Sequence, residues 1–95
     1  MAIGLSADAE SCKNMQPEIL PGDELTIDVK ARKIEESKIF LVSYNEEQRF
    51  CRVLQASNGV WLIYSNPAFP PEFIPKDKIN TFKIIGKVTK QTRNC

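Results

Sequence analysis

Three thiols and no imidazole delimit the chemistry open to this sequence: Cys12, Cys51 and Cys95 are its cysteines, and it has no histidine. Without histidine there is no Ser-His-Asp triad, no Cys-His pair and no His-ligated zinc site. An odd, widely spaced set of cysteines with no Cys-x-x-Cys pair describes neither a disulfide framework nor a metal centre, and it fits a reducing cytoplasm. Lys13 adjoins Cys12 and Arg52 adjoins Cys51, but a neighbouring cation lowers a thiol pKa only modestly. Two readings of the thiols follow. In one, Cys51 is a nucleophile or a redox partner of Cys12. In the other, both are small apolar residues of the interior, the usual state of a free cysteine. The lack of an activating base favours the second.

Cys12 opens the stretch that punctuates the chain most strongly, Cys12-Lys13-Asn14-Met15-Gln16-Pro17-Glu18-Ile19-Leu20-Pro21-Gly22-Asp23-Glu24-Leu25. Its Met-Gln-Pro turn and Pro-Gly-Asp entry restrict the backbone, so a constrained loop feeding a strand is expected. Leu25, Ile27 and Val29 then alternate with Thr26, Asp28 and Lys30, the period of a half-buried strand. Upstream, residues 1–5 suit an edge strand, and 6–13 suit a loop or a single helical turn. Downstream, 31–37 is a charged turn. Ile39-Phe40-Leu41-Val42 is a continuous apolar run, expected to be a strand buried on both faces.

Residues 45–48 have the length and polarity of a hairpin connection, and 50–54 form the returning strand. Ser57-Asn58-Gly59 is a turn signal leading into a strand over 60–64. Residues 65–75 hold Pro67, Pro70, Pro71 and Pro75. Proline removes ladder donors, so a stiff, irregular segment outside the sheet is expected, pinned by Phe69 and Phe73. The final strand is expected over 82–88, with Gly86 a bulge or a point of close backbone approach, and 89–95 is expected to fray.

Composition bounds the partners. Thirteen basic and twelve acidic residues leave a formal net charge of +1, so no global field gathers nucleic acid to this segment. Trp61, Tyr64, Phe69 and Phe73 are accordingly read as packing groups and not as a base-stacking platform. A 42% hydrophobic content suffices for one core. No apolar run approaches the ~20 residues that span a membrane, and the N-terminus lacks the regions of a signal peptide.

Five short motifs in order, at residues 14–17, 21–25, 50–54, 66–71 and 84–88, together resemble those of the LexA-like self-cleaving peptidases, which include phage repressor C-terminal domains. Asn14-Met15-Gln16-Pro17 resembles the family's Ser-Met-x-Pro, and Pro21-Gly22-Asp23-Glu24-Leu25 its Asp-Gly-Asp-x-Leu. Phe50-Cys51-Arg52-Val53-Leu54 resembles its Val-Lys-Arg-Leu segment. Asn66-Pro67-Ala68-Phe69-Pro70-Pro71 is similar to its Asn-Pro-x-Tyr-x-Pro loop, and Ile84-Ile85-Gly86-Lys87-Val88 to its closing strand. The resemblance implies a mainly β fold: a LexA/signal-peptidase-like coiled sheet or partly open β-barrel with little helix.

The family's chemistry is a Ser-Lys dyad in which a desolvated lysine takes the serine proton. On the motifs, Asn14 stands at the serine position and Cys51 at the lysine position, so the resemblance implies a vestigial dyad and no catalytic residues. Met15, Pro17, Gly22 and Asp23 would persist as the motif loop. The resemblance further implies one C-terminal oligomerisation domain over 1–95, with cleavage segment and DNA-binding module absent. Such a domain would be part of a cytoplasmic phage-type transcriptional repressor that needs no cofactor. It would self-associate as a homodimer or higher oligomer, with Phe82, Ile84, Gly86 and Val88 of the last strand in the contact. An antirepressor is the expected regulatory partner, DNA is reached only through the upstream module, and no membrane is involved. The competing expectations are an active or artificially inactivated self-cleaving peptidase and a stand-alone protein-binding β module.

Overall fold

A computed structural model describes residues 2–93. Its strands are β1 (Ala2–Ser6), β2 (Glu24–Asp28), β3 (Ile39–Tyr44), β4 (Glu47–Ala56), β5 (Gly59–Ile63), β6 (Glu72–Pro75) and β7 (Phe82–Thr92). Helical structure among the described residues is limited to α1 (Ala9–Cys12) and two 3-10 turns, Lys13–Met15 and Lys76–Thr81. No helix is long and apolar enough to cross a membrane. The seven strands form one sheet in the order β1-β2-β7-β3-β4-β5-β6, antiparallel throughout and not closed into a barrel. The fold is mainly β and open, as expected.

The sheet coils because β7 is irregular against both neighbours. Against β3, Leu41 faces Gly86 and Val42 faces Ile84, which leaves Ile85 as an extra residue. Against β2, Thr26 faces Lys90 and Ile27 faces Val88, which leaves Thr89 extra. A bulge bends its strand and increases the local right-handed twist. Two of them close together let one sheet wrap a core: Phe40, Leu41 and Val42 are all buried, so β3 is covered on both faces, as its unbroken apolar run indicates. Burying each such side chain is worth about 1.5–3 kcal/mol.

Gly86 is where the coil is tightest. A Cβ there would lie 2.6 Å from the Asp28 carbonyl oxygen and 2.7 Å from Ile27 Cγ2, so the expected close approach is present and β2 is the element that makes it. Gly59 has the same role against β6, where an added Cβ would collide with the Ile74 carbonyl oxygen.

Four local expectations need correction. The β3–β4 loop is only Asn45-Glu46, both in the left-handed region (φ 51° and 67°), so Glu47 and Gln48 join the ladder; this backbone matches the strand twist of a two-residue hairpin. The proline-rich segment ends in β6, an edge strand on β5, where missing donors face outward at no cost to the ladder. Residues 90–92 do not fray: they pair with β2, with Thr89 the bulge before them; residues 94–95 lie outside those described. Most importantly, β7 is not an exposed last strand but lies between β2 and β3. Phe82, Ile84 and Gly86 ladder with β3 and Val88 with β2, so any strand addition along them is confined to the side each neighbour leaves.

Candidate functional site

The motif loop is held by hydrogen bonds from three directions. At its base the backbone closes on itself: Ala7 N donates to Asp23 O at 2.8 Å, and Gly22 N donates to Ala7 O at 2.8 Å. At its crown, Asn66 binds the turn. Its backbone N donates to Asn14 O at 3.0 Å and its Nδ2 to Lys13 O at 2.9 Å, while Ser65 N approaches Met15 Sδ at 3.4 Å. Two motifs far apart in the chain therefore form one unit. The Gln16-Pro17 peptide bond is cis, and Met15 and Ile19 on either side of it are fully buried.

The third attachment is ionic. Arg52 donates from both terminal nitrogens to the Glu18 carboxylate at 2.7 Å, the forked geometry that suits arginine. The Ser65 hydroxyl donates to the same carboxylate. Arg52 holds the Glu18 carboxyl below its usual range, against the opposing effect of burial.

Asp23 is the anchor of the entry turn. Its side chain is 3% exposed. It accepts from Leu20 N at 3.0 Å, Gln91 Nε2 at 3.0 Å and the Arg93 guanidinium at 3.1–3.3 Å. Arg93 above all, with the Leu20 amide next, brings its pKa down to about 2. The motif aspartate is thus a structural acceptor that ties the loop to the end of β7.

The two positions assigned to the dyad are both interior. Asn14 is 4% exposed, and its Oδ1 is the one buried side-chain polar atom among the described residues with no hydrogen-bond partner. Cys51 is fully buried on β4, opposite Phe40. Burial pushes its thiol up to about 12, with Arg49 opposing and Glu72 reinforcing the shift. Such a thiol is protonated at neutral pH and is neither nucleophile nor base. Cys12 is also buried and free, and burial again raises its pKa. Cys95 lies outside the described residues.

Sequence reasoning missed the ionic cluster beside Cys51. Arg49 Nη1 donates to Glu72 Oε1 at 2.9 Å and to the Tyr64 hydroxyl at 3.1 Å, and Tyr64 donates to the same Glu72 oxygen at 2.7 Å. Nothing local signals this, since the three residues sit on different elements. Of the aromatic group, Tyr64 is buried with Phe69 edge-on at 6.5 Å. Trp61 is 37% exposed and packs on Phe73 at 4.9 Å.

Asn14 and Cys51 thus lie beneath the surface, 4% and 0% exposed. What the geometry defines is a coiled antiparallel sheet with a braced loop packed over β4. The family described as Peptidase S24-like matches residues 11–89, a span that takes in the loop, β4 and most of β7. The chain belongs to that family. No individual curated protein matches it.

Proposed function

We propose that this protein is a catalytically inactive Peptidase S24-like domain, acting as the oligomerisation and regulatory part of a phage-type transcriptional repressor. The observation that carries the reading is the pair Asn14 and Cys51 at the motif positions of nucleophile and base. A carboxamide has no hydroxyl to donate and attack with, and a thiol buried to a pKa of about 12 does not take a proton at neutral pH. The loop that would carry such chemistry is instead braced through Asp23, Glu18 and Asn66, as scaffold.

In this reading DNA is engaged only through a separate DNA-binding module, and the domain holds two such modules together for paired half-sites. A repressor that does not cleave itself is relieved by a protein partner such as an antirepressor, or by a change of oligomeric state. Strand-pairing self-association falls to β1, because it is an edge of the sheet while β7 lies inside the strand order and the other edge, β6, is bounded by prolines. All five β1 residues are exposed and none is charged, so the edge lacks the usual devices against pairing.

Restoring the dyad tests the proposal. In the full-length gene product, Asn14→Ser alone and Cys51→Lys alone are expected to leave the polypeptide uncleaved by intact mass. Only the double substitution has both groups that the chemistry needs. Cleavage recovered by Asn14→Ser alone would show that Cys51 is no impediment and would overturn the reading.

A further inference from the structure

Beside the start of β7 lies an open groove of about 520 Å³, lined by Val29, Arg32, Phe82, Lys83, Ile84 and Ile85. Strict alternation would turn consecutive strand residues to opposite faces. The bulge at Ile85 breaks that alternation, and the groove receives both isoleucines. Val29, Phe82, Ile84 and Ile85 are each half-buried and packed against the core from behind, so the apolar floor is fixed in place.

The walls are of one sign. Arg32 and Lys83 are exposed, and the six lining residues include no carboxylate. Arg32 is steadied by its Nε donating to Val29 O at 2.9 Å. Lys30 and Lys33 are exposed on the same turn. The acidic neighbours are turned elsewhere: Asp28 accepts from Lys30 N at 3.0 Å, and Glu35 pairs with Lys87 Nζ at 3.0 Å. A second groove of about 550 Å³ shares Phe82 and Lys83 with the first and is lined also by Asn45, Glu46, Asn80 and Thr81. The first groove is apolar and cationic, and the second is rich in amides.

We infer that this groove docks a segment of a partner protein in which apolar side chains are flanked by carboxylates, the carboxylates facing Arg32 and Lys83. The inference rests on the partner-controlled reading above and specifies the chemistry of that partner. A second copy of this chain does not suit it, because a groove-to-groove contact sets Arg32 and Lys83 against their own counterparts, and like charges across an interface are repulsive. Nucleic acid suits it less well, since phosphates gain nothing from four apolar side chains and the chain carries only +1 overall.

Nuclear magnetic resonance titration of the labelled protein tests it with three probes: a synthetic peptide of Leu, Phe and Glu, the same peptide with Lys for Glu, and a single-stranded DNA oligonucleotide. The acidic peptide is expected to shift the amides of Val29, Arg32 and residues 82–85. Its affinity should fall as salt is raised, because exposed charges are screened. Arg32→Glu with Lys83→Glu should weaken it about tenfold or more and improve the lysine peptide. Both side chains are exposed, so the fold is kept. Arg32→Gln with Lys83→Gln provides a milder pair with an intermediate loss. Equal binding of the two peptides, stronger shifts of the same amides by the oligonucleotide, no localised shift with the acidic peptide, or an unchanged affinity in the double variant would each overturn the inference. Cleavage of the parent protein is read in a separate assay, so failure here is distinguishable from failure of the inactive-domain reading.

Discussion

At Cys51, which only the motif resemblance sets at the family's lysine, burial works against the chemistry proposed for that position. A lysine base works in a desolvated site because losing its charge is favoured there, whereas a thiol in the same site keeps its proton. In a Cys95→Ser background, we therefore expect Cys12 and Cys51 to resist a thiol reagent at neutral pH and to react fully once the protein is unfolded. Rapid labelling of native Cys51 would contradict this. Asp23 makes the opposite prediction about pH. Its carboxyl is held at about 2 in the folded protein against 3.8 ordinarily. The stability it contributes is then complete above about pH 4 and is lost as the pH falls toward 2. Denaturant midpoints measured from pH 6 down to 2 should drop over that window, and Asp23→Asn should flatten that part of the profile.

At the scale of elements, the loop and β7 are what set the structure. Met15→Ala, which removes a fully buried side chain at the centre of the loop, should cost about 2–5 kcal/mol by chemical denaturation. Gly86→Ala should cost about 1–3 kcal/mol, because the new methyl meets backbone and not a yielding side chain.

Much of this was legible in the residues themselves. Alternation gave β2, the apolar run gave the doubly covered β3, and the Met-Gln-Pro and Pro-Gly-Asp turns located the loop. What stayed hidden was pairing at long range. The central place of β7 was invisible because residues 89–92 have exposed side chains with no apolar alternation, although 90–92 pair with β2. Asn66 read only as part of an irregular proline-rich segment, since its bonds reach a loop some fifty positions away. The Arg49–Tyr64–Glu72 cluster joins three strands or strand ends whose proximity follows only from the sheet order.

For the molecule as a whole, family membership and open coiled sheet are established by the match over 11–89 and by the topology, and inactivity and assembly are the proposals built on them. Assembly through β1 predicts that Ile3→Lys with Leu5→Lys shifts sedimentation toward monomer without unfolding the protein, because both residues are exposed and edge lysines oppose strand addition. An unchanged oligomer distribution would move the contact off β1. The central claim is loss of self-cleavage, and intact mass reads it most directly. The protein, in the full length that its gene encodes, is incubated at neutral and alkaline pH, with and without an activated recombinase filament. A single uncleaved species under every condition is predicted. A cleavage product that disappears on Asn14→Ala or Cys51→Ala would contradict it.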